Sequence, residues 1–117
     1  IVKLKSFAFA VRVVRLYQFL TVEKIEFVMS KQLLRSGTSI GSMVRESEHA
    51  ESKNDFIHKL SIAQKECNET LYWLELLKAT DYLNNEQFAS INNDALELIK
   101  IITTIIKNTK KNLTPNN

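Results

Sequence analysis

The residues with chemical potential are two histidines, one cysteine, a group of serines and a set of cations in the first third of the chain. Glu46-x-x-His49 has the spacing with which helical bundles hold carboxylate-bridged di-iron centres, and Asp55-x-x-His58 echoes it. Such a centre also needs an acid from each of two further helices. In an up-down bundle the helix ends beside this pair supply Lys3, Lys5, Lys107, Lys110 and Lys111, and no acid. Half the ligand set is missing, so neither a metal nor another cofactor is expected. Cys67 sits at helical spacing between Ala63 and Leu71, the pattern of a buried structural thiol. Ser36, Ser39 and Ser42 surround Gly37 and Gly41 without an adjacent histidine and without phosphate-loop spacing. No catalytic residue is expected, and the chain reads as a non-enzyme. Tyr72-Trp73 is open to two readings, a stacking platform or packing.

The cations carry more information. Residues 1–45 hold eight Lys/Arg and two acids, residues 46–97 four Lys and eleven acids, and residues 98–117 four Lys and no acid. A net charge of +3 thus conceals a basic first part, an acidic middle and a basic end. Such asymmetry fits an anionic partner, RNA or DNA, or the pairing of oppositely charged helices with each other. Arg12 and Arg15 on one helix, and Lys31 and Arg35 on the next, come level in a hairpin turning near residue 23. Together they would form a phosphate-binding patch with Phe19 nearby for stacking. The competing reading has these cations close salt bridges between subunits with Glu66, Glu69 or Glu75 of a neighbouring chain.

The elements that must position these groups are helices. The chain has 117 residues, 44% of them hydrophobic, with only two glycines and one proline. That is one domain, residues 1–117, with enough apolar material for a core and too little turn punctuation for a β-rich fold. A single cysteine excludes a disulfide framework and fits a cytoplasmic protein. Lys3 and Lys5 before an apolar run imitate a leader, but Arg12 and Arg15 interrupt the run, so no signal peptide or membrane span is expected. Periodicity predicts helices near residues 6–21, 26–50, 53–79 and 85–109, with 110–117 a frayed tail. The predicted inner stripe of the first is Ala10, Val13, Val14, Tyr17 and Leu20. Gly37 and Gly41 have the spacing that lets a neighbouring helix approach closely; a break in the second helix is the alternative. Ser52 with Asp55, and Asn84 or Asn85, are the N-cap candidates. The fold class is all-α, an antiparallel up-down-up-down four-helix bundle. Phe9, Leu16 and Phe19 on the first helix, and Leu96, Ile99 and Ile106 on the last, exceed what one bundle of this size buries, and they mark a homo-oligomer interface.

The stretch Gln32-Leu33-Leu34-Arg35-Ser36-Gly37-Thr38-Ser39-Ile40-Gly41, followed by Glu46, resembles the signature of the 23S rRNA intervening-sequence protein family, also called the four helix bundle protein family. Ser52-x-x-Asp55-Phe56 and Ile62-Ala63-x-Lys65-Glu66-x-x-Glu69-Thr70-x-x-Trp73-Leu74 resemble its third helix. Ser6-Phe7 and Leu16-Tyr17 are weaker matches, and Met43 departs from the family's frequent Asn. The resemblance implies a closed bundle assembled as a homopentameric ring, as in the related accessory proteins of diversity-generating retroelements. Those present a basic surface to nucleic acid and to a reverse transcriptase, and no catalytic residue carries over. The resulting expectation is an oligomeric helical protein that binds nucleic acid or a ribonucleoprotein partner. The alternatives are a protein–protein scaffold and a metal-dependent bundle enzyme.

Overall fold

Four long segments with helical periodicity fold as four α-helices, and among the described residues there is no strand. The computed structural model describes residues 1–113. Helix α1 spans Val2–Val22, α2 Met29–Ser47, α3 Lys53–Ala79 and α4 Asn85–Leu113. Helices α1 and α4 run further than the periodicity predicts, and α2 is shorter at both ends. Residues 110–113 of the expected frayed tail continue α4; its last four residues lie outside the described residues.

Local chemistry sets the helix starts. The Ser52 hydroxyl accepts the Asp55 N–H at 3.0 Å, capping α3. The Asn84 side chain accepts the Gln87 N–H at 2.8 Å while Gln87 accepts the Asn84 N–H at 2.9 Å, a reciprocal capping box on α4. Helix α2 starts three residues later than expected because Glu26 bends the chain back. Its carboxylate accepts the N–H groups of Val28, Met29 and Ser30, three of the orphan donors of a helix start. Ile25 just before it is held at φ 54°, a conformation that β-branched residues resist.

Each helix packs on the next in sequence, and α4 touches α1 most lightly. The body measures 55 × 23 × 21 Å. Along α1, Lys3 meets Glu48, and Ser6 and Val13 lie against Gly41 and Gly37 of α2. Along α2, Arg35, Ser36 and Glu46 meet Glu66, Thr70 and Lys59 of α3. Cys67 of α3 donates to the Ala95 carbonyl of α4, and Lys5 and Arg12 reach Glu97 and Asp94.

The core holds Phe9, Val13 and Leu20 of α1 with Leu33, Ile40 and Val44 of α2; Leu60, Ala63, Cys67, Leu74 and Leu77 come from α3, and Ile91, Ala95, Leu98, Ile102 and Ile106 from α4. Helix α2 runs unbroken through both glycines. A Cβ at Gly37 would stand 2.7 and 2.8 Å from the Val13 methyls, and one at Gly41 would stand 3.3 Å from the Ser6 carbonyl oxygen. Only glycine permits α1 to lie this close.

The inward face of α1 is Ser6, Phe9, Val13 and Leu20; Val13 and Leu20 belong to the expected stripe, but the face is rotated away from Ala10, Val14 and Tyr17. Helix α1 is apolar nearly all round, so two stripes compete on periodicity alone. The larger Phe9 fills the core, and the glycines of α2 demand Ser6 and Val13 beside them. Phe9 and Ile106, expected on an assembly face, therefore belong to the protomer's own interior. Leu16, Phe19 and Ile99 are half-buried against that core, while Leu96 stays exposed.

Candidate functional site

The four cations of the expected patch are not gathered on one surface. Arg12 points to α4: one guanidinium nitrogen lies 2.6 Å from the Asp94 carboxylate, and the guanidinium also donates to the Ser90 carbonyl and hydroxyl. Arg35 points the other way, to α3, where it pairs with Glu66 at 3.3 Å and with Glu69. Glu69 also accepts the Trp73 indole N–H at 3.0 Å. The competing reading placed these acids on a neighbouring subunit; Arg35 instead reaches Glu66 and Glu69 of its own chain. Arg15 and Lys31 are exposed and make no ion pair among the described residues. The hairpin argument set Arg12 beside Arg35 and Arg15 beside Lys31 by level alone and carried no information on direction around the helix axes. α1 packs against both α2 and α4, so cations at one height diverge to different neighbours.

Arg12 and Arg15 do share a groove. It occupies about 680 Å³ where α1 and α4 splay apart, with Phe19 and Leu16 on the α1 side and Glu86 and Ser90 on the α4 side. A second groove, of about 540 Å³, lies on the other flank of α1, between its first half and the second half of α2.

Between the grooves runs a ridge that sequence reasoning missed. Leu4, Phe7, Val11 and Val14 are 76%, 58%, 42% and 38% exposed. Their steps of three, four and three residues form a straight seam along a helix. The inward set Ser6, Phe9, Val13, Leu16 and Leu20 repeats the same spacing two residues on. The signal was therefore present as a second register in a helix without a polar face.

The remaining chemistries have structural explanations. No cluster of three metal-ligating side chains exists among the described residues. Glu46 is tied to Lys59 at 3.3 Å, and Asp55 accepts the Glu51 N–H at the start of α3. Cys67 is fully buried, and burial pushes its thiol up to about 12, far from a reactive thiolate. Ser36 is buried, with its hydroxyl 3.0 Å from that of Thr70, and Ser39 donates to the Arg35 carbonyl in its own helix. Trp73 packs against the core and meets Tyr72 edge to face at 5.0 Å. No helix among the described residues is long and apolar enough to cross a membrane.

A single-core, all-α four-helix protein with an exposed apolar ridge on its first helix is the class that this geometry defines. The model of the 23S rRNA-intervening sequence protein family matches residues 1–104. The chain belongs to that family. It is also similar to a crystal structure of a protein of unknown function from the S23 ribosomal protein family of Bacteroides thetaiotaomicron VPI-5482. The two are 62% identical with a TM-score of 0.91, over 92% of this chain and 99% of that one. No curated protein matches.

Proposed function

We propose that this protein is a non-enzymatic assembly module whose up-down-up-down, antiparallel four-helix protomers associate through the outward ridge of α1. The alternating order of cross-helix contacts supports the antiparallel protomer. The observation that carries the assembly reading is the seam Leu4, Phe7, Val11 and Val14, directed away from the core. Water-exposed apolar seams of this length are interaction surfaces, and 3-4 spacing suits knobs-into-holes packing against another helix. The family resemblance supports a homopentameric ring as the stoichiometry. A cytoplasmic location is part of the reading and rests on the lone, unpaired Cys67. Native mass spectrometry at micromolar concentration tests the assembly. The expected result is a multiple of the 13.5 kDa chain, five in the ring; a monomer alone contradicts the reading.

A second reading, binding of RNA or DNA or of a ribonucleoprotein partner such as a reverse transcriptase complex, is favoured by the α1–α4 groove. There Arg15 has no ion-pair partner among the described residues, and Phe19 lies beside it. Repetition around a ring would add weak phosphate contacts by avidity. Arg12 and Arg35 are held by acids of the same chain, so the phosphate contact in this groove falls to Arg15, with Lys31 on α2 a second exposed cation outside it. The reading predicts that Arg15→Glu with Lys31→Glu lowers single-strand affinity and flattens its salt dependence at unchanged assembly mass. Equal affinity and salt slope in variant and wild type would contradict it.

A further inference from the structure

We infer that the groove between the first half of α1 and the second half of α2 binds a nucleotide, free or as one unit of a single strand. This inference is independent of the Arg15 reading; it shares Phe7 with the assembly ridge and requires the side of that ring turned to α2 to stay open between copies. The groove's volume of about 540 Å³ falls in the range of small-molecule sites. Its floor is apolar and shallow because Ala10 and Gly41 are small there. On one wall Phe7 is 58% exposed. On the other, the Arg45 guanidinium stands 5.9 Å from the centre of the Phe7 ring. The guanidinium lies over that ring; held there by Phe7, it offers its own outer face on which a base stacks and a forked donor for a phosphate.

The electrostatics favour an anion. One acid, Glu46, lines the groove and is engaged by Lys59; Lys3, which also lines it, pairs with Glu48. Arg45 has no acidic partner among the described residues, and His49 lies at the same end of the groove. Ser42 adds a hydrogen-bonding group. Ser30, Ser36, Thr38, Ser39 and Ser47 each donate to a carbonyl of their own helix or its lead-in. Among the described residues the Ser42 hydroxyl has no such partner, and it faces the groove. A flat face, a cation, a free hydroxyl and an apolar floor together match a base joined to a phosphate.

Isothermal titration with adenosine monophosphate, adenosine and octathymidylate tests the assignment, with assembly mass recorded for every variant. Arg45→Gln should weaken adenosine monophosphate about tenfold, the effect of losing one charge-assisted contact, and leave adenosine nearly unchanged. Phe7→Leu keeps the ridge apolar and should weaken both ligands about fivefold through lost stacking. Lys100→Gln, an equal loss of charge on α4, should change neither. Tighter binding of octathymidylate, with the same Arg45 dependence, assigns the site to a strand; binding of the monophosphate alone assigns it to a free nucleotide. Absence of binding by both at concentrations on the order of millimolar overturns the inference. So does a Lys100→Gln loss equal to that of Arg45→Gln, because binding would then follow net charge alone.

Discussion

Glu26 ties the first connection to the start of α2 through three N–H bonds to one carboxylate that is 7% exposed. Burial opposes its charge, but the N–H bonds from Met29, Ser30 and Val28 outweigh it and hold the carboxyl below its ordinary value of 4.5. A carboxyl whose folded-state value is depressed contributes stability above its unfolded value and loses that contribution as pH falls through the folded value. Glu26→Gln should therefore cost about 1 kcal/mol or more at neutral pH, with the gap to wild type closing in acid. Urea melts of both proteins across the acidic range check this; a gap independent of pH would remove the charge from the explanation. Nothing in the residue type announced this role, because glutamate is not a preferred N-cap and Phe27-Val28 continue an apolar run that reads as helix.

At the scale of elements, the α1–α2 pair depends on one close approach. Gly37→Ala puts a methyl under 3 Å from both Val13 methyls. Val13 is fully buried and stiff at χ1, so it cannot swing aside. The substitution should destabilise the fold by about 1–3 kcal/mol. Val13→Ala should remove most of the added cost in a double-mutant cycle; additive effects would place the strain elsewhere. The close-packing glycines and the Ser52 cap were legible, and the start of α4 was narrowed to Asn84 or Asn85, because each rests on a polar or small residue with a local role. Helix α1 has no such marker on its outer half. Its phase is set by the tertiary demand that Ser6 and Val13 lie against Gly41 and Gly37. That rotation sends Phe9 inward and Val14 outward and turns Arg12 to α4, while Arg35, on α2, faces α3. The patch of four cations failed for the same reason: level is readable from hairpin arithmetic, whereas direction around the axis needs the neighbours.

For the whole molecule, charge and apolarity separate into different tasks. Much of the basic first part is neutralised within the chain, through Lys3–Glu48, Lys5–Glu97, Arg12–Asp94 and Arg35 with Glu66 and Glu69. These pairs are exposed and contribute little each, yet they withdraw cations from any outside partner. The ridge of α1 has no such internal answer, and its burial between copies is the central claim. Sedimentation velocity of wild type beside Leu4→Glu with Val11→Glu tests it most directly. Both positions are exposed in the protomer, so the variant should keep its helical circular dichroism and its core. Burial of two carboxylates between chains is prohibitive, so the account predicts a multimer for wild type and a 13.5 kDa monomer for the variant. A variant that sediments as the same multimer as wild type would contradict it.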